Sequence, residues 1–226
     1  FGTLTAIGLF LTFILLLVSA TASLIVSPSA TQPVKANSVL DLILNVPIID
    51  RNPSFDELEV ILGLNEEVLG LPEILSAIEK AAQNSDIQGI RLRSDYITAG
   101  WSQTRSIRNA LLKFKKQGKF IYSYADILSQ KGYYLASVAD SIFLNSVGVF
   151  EFKGLASEVL YYKDFQDEYG VKMEVVRHGK YKSAVEPYLD NEMSAANRFQ
   201  IESLLSSIWE TLRDEIATAR NLNTQN

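Results

Sequence analysis

The chain has 226 residues, of which 47% are hydrophobic, enough apolar material for a sizeable core. Its net charge of −5 gives no electrostatic case for nucleic-acid binding, which needs a basic face. The absence of cysteine excludes disulfides, thiolate zinc sites and cysteine nucleophiles.

Residues 1–34 carry no charged side chain, and the first residue is phenylalanine, as expected of a processed product or a fragment. Leu4 to Val26 is a strongly apolar run of 23 residues. A helix needs about 20 such residues to cross the hydrocarbon of a bilayer. The rival reading is a cleaved secretory signal, for which Ala20-Thr21-Ala22 supplies a small-x-small cleavage pattern. The apolar run continues past that point through Leu24, Ile25 and Val26, which favours a transmembrane anchor over residues 1–26. Residues 27–38 are polar with two prolines and read as a linker, so the α/β domain is expected over 39–226.

Within that domain, Val39–Ile49 is β-prone and predicts a strand, followed by a loop over 50–56 around Pro53. Leu71–Gln83 predicts an amphipathic helix with Pro72 in its first turn and Leu75, Ile78, Ala81 and Ala82 inward. A strand over 87–92 and a helix over 102–116 follow, the helix turning Ile107, Ala110, Leu111 and Phe114 to the core before Gly118. Phe120–Tyr124 predicts a strand, Tyr133–Ala139 a short helix, and Ile142–Leu144 and Val149–Phe152 two further strands. Leu160–Tyr169 is expected as a helix closed by Gly170, and Met173–Arg177 as a strand. Ser194 then caps a long helix to Arg220, with Ile201, Leu204, Leu205, Ile208, Leu212 and Ile216 on one face. Alternation of strand and helix implies parallel pairing and an α/β class.

The chemistry concentrates in H-G-K-Y-K-S-A-V-E-P at 178–187. A lysine acts as general base only when neutral, which needs burial or nearby positive charge. Lys182 has Lys180 for like charge, and Tyr181, Ala184 and Val185 to exclude water. Its bland reading is a solvated surface lysine. His178, the only histidine, reads as a polar residue at a strand end. Ser183 could orient the Lys182 amine or start a turn, and Glu186 could pair with Lys180 or Lys182 or serve the turn at Pro187. Trp209 reads as packing. The acidic groups Glu66–Glu67 and Asp164–Asp167–Glu168 show no ligand spacing, and no Walker loop or G-x-G-x-x-G occurs. No cofactor or metal is expected.

G-K-Y-K-S-A-V-E-P with Tyr188, Met193 and Ser194 resembles the lysine motif of the signal peptide peptidases of family S49, as do residues 69–81 and 129–145. The resemblance implies a ClpP/crotonase-like fold, a spiral of ββα units, and a Ser/Lys dyad with Lys182 as the base. It implies no cofactor, signal peptides and other extended peptides as substrates, and a single-pass protein of the bacterial inner membrane facing the periplasm or cell exterior. The place of the serine motif is L-S-Q-K-G-Y-Y, where Ser129 is the candidate nucleophile. Matching Gly132-Tyr133-Tyr134 to the family's G-Y-Y instead puts Gln130 in the serine register and Lys131 in place of a glycine. The loop after the second strand, S-D-Y-I-T-A-G-W, keeps only Gly100, so an intact oxyanion hole is not expected. In two-copy members the N-terminal half supplies the lysine and the C-terminal half the serine. This chain matches such an N-terminal half, so a homo-oligomer whose serine lies beyond residue 226 is expected. The rival is a non-catalytic oligomerisation module of the same fold at the membrane; a crotonase-like acyl-CoA enzyme is suggested by fold alone.

Overall fold

The computed structural model describes residues 33–51, 68–176, 178, 179 and 181–224, together with 2, 3, 5, 8–10, 12–14 and 16. The chain divides into two compact units, Phe1–Lys35 and Ala36–Asn226. In the first, the described positions are helical, and the Thr5 and Thr12 hydroxyls donate to the carbonyls of Gly2 and Leu9 at 2.9 Å each. Much of the expected 4–26 span lies outside the described residues; among those described, no helix is long and apolar enough to cross a membrane.

The second unit is α/β with a parallel sheet, as the alternation of elements implied, and it fits the ClpP/crotonase-like fold. Its main sheet orders β1 (Ser38–Ile43), β4 (Ile87–Arg93), β5 (Phe120–Leu128) and β6 (Ser141–Phe150), every pairing parallel. A small second sheet joins β2 (Ile48–Ile49) to β3 (Leu69–Gly70). The single strand expected over 39–49 is therefore two. Pro47 has no N–H for a ladder, and its carbonyl instead accepts from Leu69 N at 2.9 Å. The loop expected over 50–56 lies outside the described residues beyond Arg51.

The helices α1 (Leu71–Gln83), α2 (Trp101–Lys115) and α3 (Gln130–Ala136) serve one face of the main sheet. Their apolar stripes put Ile74, Ile78, Ile107, Leu111 and Phe114 against Leu42, Ile90, Leu92 and Ile121. The opposite face carries Val39, Tyr122, Tyr124 and Phe143, all exposed.

Two expected strands at 142–144 and 149–152 are one, β6, with a break in register between them. Ala125 pairs with Leu144 and Ile127 with Val149, so four residues of β6 oppose the single Asp126. Asp126 holds this bulge: its carboxylate accepts from Tyr124 Oη at 2.9 Å and Asn145 Nδ2 at 2.8 Å, which keep that carboxyl below its usual range.

Further along, α4 (Lys163–Tyr169) is shorter than expected and closes at Gly170, φ +70°. The strand expected over 173–177 is not formed at 173–176, and residue 177 lies outside the described residues. Met-Glu-Val-Val is β-prone, but among the described residues no strand pairs with it, and propensity without a partner does not make a strand. A single turn, α5 (Glu186–Leu189), precedes the long α6 (Ala195–Arg220). Ser194 caps α6 as expected, its Oγ accepting from Asn197 N at 3.2 Å. Of the face expected to be inward, Leu212 and Ile216 are buried against Tyr134, whereas Leu204 is 60% exposed.

Candidate functional site

Ser129 lies between β5 and α3, as the N-cap of α3. Its Oγ accepts from Gly132 N at 3.2 Å, so the hydroxyl is an N-cap. Gln130 is anchored differently. Its Oε1 accepts from two successive backbone N–H groups, Gly154 at 2.9 Å and Lys153 at 3.2 Å. The Lys131 ammonium donates to Ala99 O at 2.7 Å and lies 5.9 Å from the centre of the Trp101 ring. Burial pushes that ammonium below its usual range.

These contacts fix the loop after β4 from inside. Ile97 and Ala99 are buried, Ser94 Oγ donates to Gly132 O at 3.3 Å, and Gly100 N donates to Gln103 Oε1 at 2.8 Å. Around Tyr133, aromatic rings close the other side: Phe150 at 5.1 Å and Phe152 at 5.6 Å, both edge-on. Phe152 in turn meets Trp209 at 5.4 Å, so Trp209 packs as expected.

Lys182 lies between α4 and α5, in a segment without regular structure, and its side chain is exposed. Its N–H donates to Gly179 O at 3.4 Å, where Gly179 has φ +105°, a backbone that L side chains rarely adopt. Of the neighbours expected to shield it, Tyr181 is 54% exposed and Ala184 is exposed, while Val185 is partly buried; Lys180 lies outside the described residues. His178 is exposed, and the described residues before it, 173–176, form no strand for it to end. Ser183 begins a turn, its carbonyl accepting from Glu186 N at 3.0 Å.

Glu186 is 2% exposed and serves the next helix. Its carboxylate accepts from Ser194 Oγ at 2.6 Å, Asn197 Nδ2 at 3.0 Å and Ser194 N at 3.4 Å. A carboxylate at a helix N-terminus is favoured by the helix dipole. The motif is thus tied to the start of α6. It is also tied to α4, through Tyr162 N donating to Pro187 O at 2.7 Å and stacking of Tyr162 on Tyr188 at 5.7 Å.

Glu66 and Glu67 lie outside the described residues. Asp164 accepts from Asn191 Nδ2 at 2.8 Å, and Asp167 pairs with Lys163. Among the described residues no acidic or histidine group has the arrangement of a metal site.

Sequence reasoning missed one cluster. Arg108, 1% exposed, donates from α2 to Tyr134 O and to Ser137 Oγ at 2.7 Å on the α3 side, and to Glu215 O of α6 at 2.8 Å. Tyr134 Oη donates to Glu215, and Arg105 donates to the same carboxylate at 2.6 Å. The available signal was an arginine beside Ile107 on the helix face that also carries Leu111 and Phe114.

Comparison with known proteins bears on these residues directly. The model of peptidase family S49 matches residues 113–226, which include Ser129, Gln130, Lys131 and Lys182. Protease 4 of Haemophilus influenzae is 38% identical over 151 residues, 66% of this chain and 25% of that protein. Protease 4 of Salmonella typhi is 34% identical over 154 residues, 68% of the chain and 25% of the relative. The chloroplastic serine protease SPPA of Arabidopsis thaliana is 30% identical over 188 residues, 83% of the chain and 26% of the relative. The chain spans about a quarter of the length of these curated relatives. With half of its length matched by the family model and its lysine motif inside the match, the chain belongs to peptidase family S49.

Proposed function

We propose that this chain is the lysine-bearing part of a membrane-anchored serine endopeptidase that degrades signal peptides and other extended peptides. The observation that carries the reading is the contrast between its two motifs. G-K-Y-K-S-A-V-E-P is intact and presents Lys182 on an exposed segment. The serine register holds Gln130, whose carboxamide is committed to the N–H groups of Lys153 and Gly154. The nucleophile therefore comes from a second, serine-bearing half in a homo-oligomer. That half also supplies the surface that removes water from Lys182. The neutral amine takes the proton of the incoming serine as its oxygen attacks the peptide carbonyl. The proton passes to the leaving amine, and the lysine then deprotonates the water that hydrolyses the ester.

The apolar run 4–26 is the proposed anchor, single-pass in a bacterial inner membrane, with the α/β unit on the periplasmic or outer side. The second reading is a non-catalytic oligomerisation module, favoured by the absence of a serine in the register of Gln130. Peptide hydrolysis by the full-length protein separates the two. Lys182→Ala should lower turnover by about 10²–10⁴-fold, the usual worth of general-base catalysis. Lys180→Ala should cost less. Near-normal turnover of Lys182→Ala, or the larger loss in Lys180→Ala, would refute the assignment. The 226-residue chain on its own should hydrolyse at background rate, and robust activity abolished by Ser129→Ala would restore a dyad within the chain.

A further inference from the structure

We propose that the N–H pair of Lys153 and Gly154 is a binding subsite for an extended peptide, held by the chain's own Gln130 when no peptide is present. Two successive N–H groups converge on one oxygen at 2.9 and 3.2 Å. Gly154 has φ +84°, and a left-handed residue in such a pair turns both donors to the same side, the geometry that binds carbonyl and anionic oxygens. The oxygen found there belongs to a carboxamide, the same acceptor that every peptide group offers.

A pocket of about 370 Å³ with both polar and apolar walls opens beside the pair, lined by Lys153, Gly154, Leu155, Leu205, Ser206 and Trp209. A peptide carbonyl replacing Gln130 Oε1 would set the adjoining side chain at this pocket, where Leu155, Leu205 and Trp209 offer contacts to an apolar one. Access comes from the edge of the sheet. β6 is the last strand in the order, and Val147, Val149 and Phe150 on it are exposed immediately before the pair. Such an edge offers unpaired backbone groups to an added strand. The occupant is therefore an extended segment with one apolar residue, and Gln130 competes with it for the same two donors.

The test uses the 226-residue chain with Trp101→Phe, so that Trp209 is the only indole. The probe is the N-acetylated, C-amidated pentapeptide Ala-Ala-Leu-Ala-Ala, followed by Trp209 emission and by the amide ¹⁵N–¹H shifts of Lys153 and Gly154. Removing the competitor with Gln130→Ala should tighten binding about tenfold, the order expected when two neutral hydrogen bonds no longer have to be broken. The two amides should move on titration, and replacing the peptide's leucine by aspartate should abolish the response. Gln130→Asn, whose amide is one methylene shorter, gives the same comparison if Gln130→Ala does not fold. Equal affinity with and without Gln130, no binding by folded variants, or shifts that spare residues 153 and 154 would each overturn the proposal. Binding is read without hydrolysis, so the outcome is independent of Lys182.

Discussion

Arg108 joins α2, α3 and α6, and its removal has a calculable consequence. The guanidinium is 1% exposed and is held by Tyr134 O, Ser137 Oγ and Glu215 O, with the Glu215 carboxylate 3.5 Å from Nε and the Tyr134 ring centre 4.6 Å from Cζ. Arg108→Met keeps most of the side-chain volume and removes every donor. The two carbonyls and the Glu215 carboxylate lose a partner in a water-poor site. Breaking a buried charge pair from one side costs about 3–5 kcal/mol. Because Arg105 still reaches Glu215 at 2.6 Å and is itself exposed, the lower end of that range is expected, about 3 kcal/mol. Urea unfolding followed by circular dichroism measures it directly. A double-mutant cycle with Glu215→Ala should show coupling above about 1 kcal/mol, since both side chains belong to one network. A loss under about 1 kcal/mol for Arg108→Met, or strict additivity with Glu215→Ala, would show that α6 does not depend on this junction.

Tyr134 gives the same network a pH signature. Burial, and then the neighbouring Glu215, raise its hydroxyl above the usual tyrosine range. A raised folded value means that the native state keeps a proton which the unfolded state releases above about pH 10. Stability is therefore intact below that pH and falls above it by up to about 1.4 kcal/mol per pH unit. Tyr134→Phe should lower stability at pH 7 by about 1–2 kcal/mol and flatten the alkaline slope; an unchanged slope in urea titrations from pH 9 to 11 would contradict the assignment. Gly132 lies where a Cβ would collide with the Ser94 carbonyl oxygen and stand 3.2 Å from Ser129 Oγ. Gly132→Ala should cost at least about 2 kcal/mol, measured by the same unfolding assay, and a neutral result would mean that the loop after β4 yields easily.

The parts of the fold that were legible in sequence are those whose signals are local. α1 runs over the residues that its apolar spacing and early proline gave, and α6 starts at the serine expected to cap it. Signals that depend on a partner elsewhere in the chain misled. β6 reads as two strands because N-S-V-G interrupts the apolar pattern, yet the ladder resumes once Asp126 on β5 absorbs the extra length. Residues 173–176 have the composition of a strand and, among the described residues, no strand that pairs with them. Most of the first four turns of α6 likewise face solvent, because an apolar stripe records what a helix can bury and not what is there to cover it.

The candidate site divides along the same line. The resemblance sets Gln130 and Lys131 in the register of a serine and a glycine, and that was readable residue by residue; what the two side chains do was not. Gln130 binds donors 23 and 24 positions away, and Lys131 binds a carbonyl 32 positions away. Neither contact leaves a trace in local spacing. Glu186 shows the converse. Two lysines within six positions offered it an ion pair and the turn at Pro187 a structural role; what local spacing does not show is that Ser194 and Asn197 meet its carboxylate and tie it to α6. This anchoring bears on the proposed role of Lys182. A lysine on an exposed loop is a poor base unless something positions it, and here the segment after Lys182 is fixed on both sides, to α6 through Glu186 and to α4 through Pro187 and Tyr188. If Lys182 is the base of the proposed reaction, its exposed position and the anchoring of the segment that follows it would let a second half complete the site.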